Sequence, residues 1–495
     1  MYITASKLYD YIQCPHKVWR DRYGPLEEKV EEANPFVELL WEKGILHEKE
    51  VIEDLGDYVD LSSGSIKERF KKTTRELRKG TPLIYQGVLI YGDLLGVPDL
   101  LKKCEHGLYI PIDIKSGSGY ENGEKLKKHY AVQLCLYSEL LKKYGFKKDN
   151  RAKIIDIEGK EVDYILDEPQ GVRNRLTWLD EYKAVLGEVR KLIQNQEKNE
   201  PALGGQCRLC PWYNSCKKWC EDRQDLSIIF GLGRSKRDII NSDLKIKQVK
   251  GISVCNVREV LSKKKKEKGF LGGIGKSNLD SIVNRANIII EGKPDIYQKF
   301  TFPETPLELF FDIEDDPTQD FIYLHGIFKR QKNGKGKYIY FLARENTLAE
   351  EERIWSEFWS YINSLGEGNF SFYYYSPHER TAFKKLLKKY PGYISEKELD
   401  DFFESKNVID LYQDAIFKYT DWPLWSYSLK DIATYLGFSW RDKTPSGALS
   451  IQWYNEYIKT GNPDIMARIL AYNEDDCRAT MLIKDELEKM AEKKF

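Results

Sequence analysis

The sequence predicts a multidomain α/β protein. Its 495 residues suffice for roughly two to four domains, because a domain commonly runs about 100–200 residues. Short apolar runs typical of strands alternate with amphipathic segments of helical period. Two strand-like runs end in clustered carboxylates, near residues 113 and 312, and cysteines gather near residue 210. These features predict three domains, at 1–222, 223–300 and 301–495.

The overall composition limits the class of protein. The chain has 78 basic and 78 acidic residues, so its net charge offers no steering of a polyanion and any basic surface must be local. It contains no 18-residue apolar run and no apolar core of signal-peptide length at its start. We therefore expect a soluble cytoplasmic protein with no membrane partner. Nine cysteines in a reducing compartment predict a metal site and not disulfides.

A predicted hairpin near residue 105 is the centre of the first domain. Its second strand ends in Asp113 and Lys115, which share one face because side chains alternate along a strand. The turn at 105–107 would bring Asp99 beside that face. Two carboxylates and an ammonium suit metal-assisted phosphodiester hydrolysis, in which carboxylates hold a divalent cation and the lysine polarises the attacking water. An ordinary solvated hairpin carries the same short pattern.

The cysteines of the first domain predict a metal site. Cys207, Cys210 and Cys216 follow the spacing C-x2-C-x5-C and need a fourth ligand. Cys14, at the end of a short helix, or Cys220 would supply it. If Cys14 supplies the fourth ligand, the metal joins the two ends of the domain. The bound metal is either an iron–sulfur cluster or zinc.

Two helices of the first domain carry further candidates. His47 lies on a helix before the hairpin and, taken alone, would be a core or surface histidine. Gln133 and Tyr137 are four residues apart and share a helix face. Pointing toward an acidic metal site, they could bind phosphate and position a nucleic-acid strand.

The order of these motifs resembles a known family. S-x-L…C-P, G-I-L-H, G-x-x-D, D-x-K, Q-x3-Y and C-x2-C-x5-C follow one another as in the RecB-like branch of the PD-(D/E)XK nucleases. Within that branch, the chain resembles members with an iron–sulfur staple, such as CRISPR-associated RecB-type exonucleases and AddB-type nuclease domains. The likeness covers residues 1 to about 222. One difference is that many relatives have Glu where this chain has Asp113.

This resemblance implies a role for each motif residue. Mg²⁺ or Mn²⁺ would be bound by His47, Asp99, Asp113 and the carbonyl of Ile114. Lys115 would be the catalytic lysine, and Gln133 and Tyr137 would line the DNA path. A [4Fe–4S] cluster would be held by Cys14, Cys207, Cys210 and Cys216. Cys220 has no role in the resemblance, and a local zinc site that includes it is the alternative.

The middle segment, 223–300, is basic and contains several glycines. A P-loop is excluded because Phe270 stands where the G-x4-G-K-[ST] spacing needs glycine. A turn leading into a helix at Ser277–Ala286 resembles a helix-hairpin-helix element. Such an element grips nucleic-acid backbone, here through Gly273, Gly275 and Lys276; a plain helical connector is the alternative.

The last domain begins with a second acidic strand, on which Asp312 and Glu314 share a face. Strands at 321–328 and 338–343, a helix at 349–365 and a strand at 370–375 should follow. That order, with helices after it, is the order of an RNase H-like fold.

Four further residues of this domain complete the pattern of a known family. Glu379 opens a helix, Asp410 ends a short apolar run, and Tyr472 and Asp476 share a helix face. The pattern resembles DEDD exonucleases of the tyrosine subtype. The resemblance implies that Asp312, Glu314 and Asp476 hold two Mg²⁺ ions, with Tyr472 orienting the water. Glu379 is the candidate for the remaining carboxylate and Asp410 the reserve; an acid there could also only complement the helix dipole.

The whole chain resembles RecB-type nucleases that carry a C-terminal RNase H-like domain. This implies a metal-dependent nuclease with two hydrolytic centres, acting on DNA ends or flaps in repair, recombination or defence. No helicase motor is visible, so unwinding would need a helicase partner or a single-stranded substrate. The alternatives are an RNA or oligonucleotide exonuclease using only the C-terminal centre, and a non-enzymatic, metal-stapled nucleic-acid-binding protein.

Overall fold

The computed structural model describes residues 2–30, 35–121, 125–171, 174–196, 199–331, 334 and 336–495. They fall into two units: Met1–Pro201 with Gln206–Ser215, and Ala202–Gly205 with Cys216–Phe495. The predicted domain boundaries after residues 222 and 300 stay predictions. Across the described ranges, no helix is both long enough and apolar enough to cross a lipid bilayer.

The first unit is built on a mixed β-sheet with helices on its faces. Its strands are β1 (Ile3–Thr4), β2 (Val59–Asp60), β3 (Leu83–Tyr85), β4 (Leu89–Tyr91), β5 (Leu94–Gly96), β6 (Leu100–Lys103), β7 (Tyr109–Ile114), β8 (Tyr120–Glu121), β9 (Lys125–Leu126), β10 (Arg151–Ile155) and β11 (Glu161–Ile165). Its helices are α1 (Ala5–Gln13), α2 (Pro15–Tyr23), α3 (Pro35–Glu53), α4 (Ile66–Lys79), α5 (Lys128–Lys143) and α6 (Trp178–Ile193). The main sheet has the order β11-β10-β7-β6-β3-β2, and a smaller sheet has the order β1-β5-β4.

The hairpin predicted from the sequence is confirmed as the antiparallel pair β6–β7, with its turn at Glu105–Gly107. Ile112 and Ile114 pack with Ile52 of α3 on one face of the sheet. Asp113 points to the opposite face because successive residues of a strand alternate. That face is covered by α5, whose buried residues form the core of the unit with α1 and α6.

The second unit contains a five-stranded sheet within the described residues. The strands of the second unit, five of which form this sheet, are β12 (Asp295–Ile296), β13 (Leu307–Asp316), β14 (Phe321–Gln331), β15 (Gly336–Leu342), β16 (Phe370–Tyr374), β17 (Val408–Asp410) and β18 (Thr420–Asp421). α7 (Tyr213–Asp222) spans the division between the units. Later helices are α8 (Gly233–Leu244), α9 (Val249–Ser253), α10 (Val257–Lys266), α11 (Lys276–Glu291), α12 (Leu348–Ser364), α13 (Pro377–Lys389), α14 (Glu396–Glu404), α15 (Phe417–Tyr419), α16 (Leu429–Tyr435), α17 (Gly447–Thr460) and α18 (Pro463–Lys494).

The sheet of the second unit has the order β15-β14-β13-β16-β17. β13, β14 and β15 are antiparallel neighbours, whereas β16 and β17 run parallel to β13. The predicted strands and the predicted helix between them are confirmed as β14, β15, β16 and α12. One face of the sheet packs an aromatic core against α12 and α13, including Phe311, Trp355, Phe358 and Phe383. The other face packs against α18, so that α18 lies directly over β13.

The helices α8 to α11 lie in the second unit and are fixed to it by polar and aromatic contacts. The predicted helix at Ser277–Ala286 is confirmed as part of the longer α11. Arg285 of α11 donates from Nε to Oδ1 of the buried Asp421, 2.8 Å away. The ring of Phe230 stacks on Tyr427 with centroids 3.7 Å apart.

Candidate functional site

The hairpin of the first unit brings three predicted residues together, forming what we call the front centre. The ammonium of Lys115 lies 2.8 Å from Oδ2 of Asp113, which is buried. The backbone N–H of Ile114 donates to Oδ2 of Asp99 at 2.7 Å. Asp99 is thereby held beside the end of β7. Loss of solvent and the charge of Asp113 raise the pKa of Asp99 well above its usual range.

Lys115 remains charged in this environment. Burial by itself would lower the pKa of Lys115, but the charges of Asp113 and Asp99 outweigh burial and raise it. The front centre therefore places a cation next to two carboxylates.

Glu48 of α3 is a further carboxylate of the front centre that sequence reasoning missed. Its Oε1 accepts hydrogen bonds from the hydroxyl of Tyr85 and the amide of Gln86, both at 2.9 Å. The same Gln86 amide donates to Oδ1 of Asp99 at 3.0 Å. Glu48 also adds to the raised pKa of Asp99. A lone glutamate on a charged helix has no spacing signal, so only the tertiary fold reveals it.

His47 lies on α3 close to the end of β7. Its Nε2 is 3.0 Å from the carbonyl oxygen of Asp156, so Nε2 carries the proton and donates. Asp156 directly follows Ile155, which pairs with Ile114 in the sheet. In the described part of the chain, the imidazole thus meets a backbone carbonyl and not Asp99 or Asp113. Its role as a cation ligand stays a prediction.

Tyr137 faces the same carboxylates from α5, and Gln133 lies one turn earlier on that helix. Tyr137 is 4% exposed, and burial together with the charges of Asp113 and Asp99 raises its pKa. Gln133 is 8% exposed, and its Oε1 has no hydrogen-bond partner among the described residues. A buried polar atom without a partner is costly. Gln133 lies one turn of α5 from Tyr137, and its role in binding a ligand stays a prediction.

The cysteines predicted to hold a cluster are half-buried. Cys14, Cys207 and Cys210 belong to the first unit and Cys216 to the second. Burial raises the pKa of Cys210, and the neighbouring Cys14 adds to that shift, so these two thiols are close. Cys220 is fully buried and accepts a hydrogen bond from the Ser227 hydroxyl at 3.6 Å. The cluster itself stays a prediction.

The second unit gathers three of its predicted carboxylates into what we call the back centre. Each of Asp312, Glu314 and Asp476 offers one oxygen, and these oxygens lie within 4.8 Å of one another. Asp312 and Glu314 come from β13, and Asp476 comes from α18. Burial and the charge of Asp476 raise the pKa of Glu314 to about 8 and raise that of Asp312 well above its usual range. Such mutual repulsion favours a bound divalent cation.

Asn473 bridges two of these carboxylates. Its Nδ2 donates to Oδ2 of Asp312 at 2.8 Å and lies 3.4 Å from Oε1 of Glu314. Its Oδ1 accepts from the hydroxyl of Tyr338 at 2.8 Å. Gly326 on β14 leaves the space for this side chain, since a Cβ there would lie 1.6 Å from Oδ1 of Asn473. Sequence reasoning missed Asn473, although it directly follows Tyr472.

Tyr472 is placed by a lysine that sequence reasoning also missed. Nζ of Lys430 donates to the hydroxyl of Tyr472 at 2.7 Å and to the carbonyl of Pro445 at 3.1 Å. The charge of Lys430 opposes the rise in the pKa of all three clustered carboxylates. The indole of Trp440 donates to Oδ1 of Asp476 at 2.7 Å. Lys430 thus brings both a cation and a hydrogen-bond donor to the back centre.

The two candidates for the remaining carboxylate occupy different surroundings. Glu379 is buried at the start of α13, and its charge contributes to the raised pKa of Asp312. Burial and Asp410 raise the pKa of Glu379 itself to about 7. Oδ1 of Asp410 instead accepts the backbone N–H groups of Ser376, Tyr412 and Gln413 at 2.9–3.2 Å. It holds Ser376 at the strained φ of 129°. Which of the two completes the back centre stays a prediction, with Glu379 as the candidate and Asp410 as the reserve.

The predicted backbone-binding residues of the middle segment lie at the start of α11. Gly273 has a φ of 75°, a left-handed conformation that favours glycine. Gly275 caps the helix without a side-chain hydrogen bond. Lys276 is exposed and pairs with Asp280 at 2.8 Å. The three residues share one exposed turn, and their role in binding nucleic acid stays a prediction.

Comparisons with protein families agree with this geometry. Residues 4–217 match the model of the PD-(D/E)XK nuclease superfamily, and residues 309–488 match the model of the RNase H superfamily. No curated protein matches the chain in a sequence search. The class is therefore that of the nucleases, enzymes that hydrolyse phosphodiester bonds. The chain joins a region of the PD-(D/E)XK nuclease superfamily to a region of the RNase H superfamily, and each region contains one of the two centres.

Proposed function

We propose that this protein is a metal-dependent nuclease with two hydrolytic centres, which processes DNA ends or flaps, as an exonuclease, in repair, recombination or defence. The observation that carries the proposal is the approach of the Asp312, Glu314 and Asp476 oxygens to within 4.8 Å. Buried carboxylates repel one another at that separation. A bound cation would relieve this repulsion, and hard divalent cations such as Mg²⁺ and Mn²⁺ prefer oxygen ligands.

In the front centre, Asp99 and Asp113 would hold the cation, together with the Ile114 carbonyl and His47. A bound divalent cation activates water and neutralises charge on the phosphate. Lys115 is held at the strand end by Asp113. Its ammonium would stabilise the negative charge that develops on the phosphate oxygens. Gln133 and Tyr137 would orient the strand through the side-chain amide group and the phenol hydroxyl.

In the back centre, the three clustered carboxylates and Glu379 would hold two cations. Two cations bound there would supply activation of the attacking water and stabilisation of the leaving oxygen. Tyr472 would orient that water, with its own hydroxyl fixed by Lys430. Asn473 keeps Asp312 and Glu314 in place through its amide.

We further propose that Cys14, Cys207, Cys210 and Cys216 hold a [4Fe–4S] cluster, with zinc as the alternative. Thiolate ligands at this spacing suit either metal, and Cys14 and Cys210 are neighbours. Anaerobically purified protein should be brown, with broad visible absorbance and bound iron. A colourless sample that contains zinc would support the alternative.

The proposed partner is DNA, and the proposed location is the cytoplasm. The unpaired ends or flaps would be present in the substrate or would be produced by a helicase. The DNA backbone would be bound by three exposed turn residues, Gly273, Gly275 and Lys276. Amide groups at a helix start can bind phosphate.

Single variants of the two centres test the proposal. Asp113→Ala, Asp312→Ala and the double variant should be assayed on single-stranded DNA, flapped DNA and RNA, with Mg²⁺ or Mn²⁺ and with a chelator. Each single variant should lose part of the cleavage and the double variant all of it. Asp163→Ala is a matched control, because that aspartate is exposed on β11. Full activity in the presence of chelator would refute both centres.

One outcome would select a second candidate function. If Asp312→Ala alone abolishes all cleavage and RNA is the better substrate, the protein is an RNA or oligonucleotide exonuclease that uses only the back centre. The close approach of the three carboxylates in the back centre favours this alternative over an enzyme that uses only the front centre.

A further inference from the structure

Three rings form a ladder beside the front centre. Tyr9 of α1 meets His129 of α5 edge to face, with centroids 5.2 Å apart. His129 meets Tyr130 in the same manner at 4.4 Å. Tyr9 is exposed, whereas the other two rings are half-buried. The ladder therefore runs from the surface of the first unit inward.

The inner end of the ladder reaches the predicted catalytic lysine. The ammonium of Lys115 lies 5.6 Å from the centre of the Tyr130 ring, and that of Lys127 lies 5.2 Å from it. The Tyr130 hydroxyl also borders the backbone of Gly117, at 3.5 Å from the position of a Cβ there. Ring surfaces and two cations thus meet at the loop that follows Lys115.

The ladder continues a stripe of residues along α5. His129, Gln133 and Tyr137 are spaced by four, so they lie on one face of the helix. Going inward, the stripe passes from a half-buried imidazole to the buried Oε1 of Gln133, which has no hydrogen-bond partner in the described ranges. Burial and the charges of Lys127 and Lys115 lower the pKa of His129 to about 4. A neutral imidazole adds no positive charge to the ring ladder.

We propose that Tyr9, His129 and Tyr130 form a subsite that holds the base next to the scissile phosphate of the front centre, so that this centre takes an unpaired strand. Lys115 and Lys127 would contact the backbone of the same nucleotide. A base inside a duplex is already stacked on its neighbours and cannot lie against protein rings unless it leaves the stack. This inference rests on the proposed nuclease function and names the substrate class of the front centre.

Binding without cleavage tests the subsite independently of catalysis. The full chain in chelator should be titrated with fluorescent single-stranded DNA, with blunt duplex DNA, and with an abasic oligomer that has phosphates but no bases. Tyr9→Leu and Tyr130→Leu should each weaken single-strand binding by about ten-fold, the effect typical of a lost base–ring contact. Duplex and abasic binding should not change. Tyr130→Phe should keep the wild-type affinity, because it retains the ring.

A matched control separates the subsite from general effects. Tyr91 is an exposed tyrosine of the same unit whose ring lies 5.3 Å from the ammonium of Lys143. Tyr91→Leu should leave every affinity unchanged. Unchanged single-strand affinity in folded Tyr9→Leu and Tyr130→Leu, or an equal loss of abasic binding, would overturn the subsite. Absence of cleavage with any metal would overturn the proposed function, while the binding result would still decide the subsite.

Discussion

Replacing Gly326 by alanine should disrupt the back centre from a distance. The new Cβ would lie 1.6 Å from Oδ1 and 2.8 Å from Cγ of Asn473. Asn473 must therefore leave its place and lose its hydrogen bonds to Asp312 and Tyr338. Overpacking costs about 1–3 kcal/mol, and a lost hydrogen bond to a charged group costs about 1.5–3 kcal/mol. The free energy of unfolding should fall by about 3–5 kcal/mol.

Urea unfolding of a double-mutant cycle is the assay. Asn473→Ala removes the clashing side chain, so Gly326→Ala should add little once Asn473→Ala is present. The two changes should be strongly non-additive. Gly187→Ala is the control: Gly187 lies in α6 with open space around its Cβ position, and alanine there should stabilise by about 1 kcal/mol. Additive costs for Gly326→Ala and Asn473→Ala would refute the reasoning.

Three further predictions concern charged and titratable groups. Lys430→Met removes a charge that lowers the pKa of Glu314, so that pKa should rise, and the acid limb of the rate profile of the back centre should move to higher pH. His325 is buried among aromatic rings, and burial lowers its pKa to about 3. The folded state disfavours protonation of His325. The stability that the neutral imidazole contributes above the unfolded pKa of about 6.5 is therefore lost as the pH falls below that value. Unfolding midpoints should show that His325→Phe reduces this acid sensitivity. Arg285→Ala leaves the Asp421 carboxylate buried without its cation, which should cost about 3–5 kcal/mol in urea unfolding.

Each of these predictions has an outcome that would contradict it. An unmoved acid limb would show that Lys430 does not act on the carboxylates. Equal acid sensitivity of His325→Phe and wild type would assign that sensitivity to other groups. For Arg285, the variant Asp421→Asn should partly rescue Arg285→Ala, because it removes the stranded charge.

The sequence was sufficient where a local pattern determines the structure. Period-two alternation and a Gly-containing turn identified the β6–β7 hairpin, and the same alternation placed Asp312 with Glu314. Helical spacing of four residues placed Tyr472 with Asp476. These relations depend on backbone geometry over a few residues, which sequence patterns report directly.

Sequence reasoning failed where distant segments meet. Glu48, Lys430 and Asn473 carry no spacing signal, and each acquires its place only through partners far away in the chain. Gly326 illustrates the difficulty: its importance lies in the Asn473 side chain that it admits, 147 positions later by residue number. The backbone N–H groups that bind Asp410 are likewise visible only in the fold.

The order in which the back-centre carboxylates occur along the chain has a consequence for synthesis on the ribosome. Asp312 and Glu314 emerge early, whereas Asp476 lies on α18, the last helix described. A nascent chain therefore cannot assemble this trio until translation has passed Asp476. The activity proposed for this centre would therefore begin only after both β13 and the middle of α18 have left the ribosome.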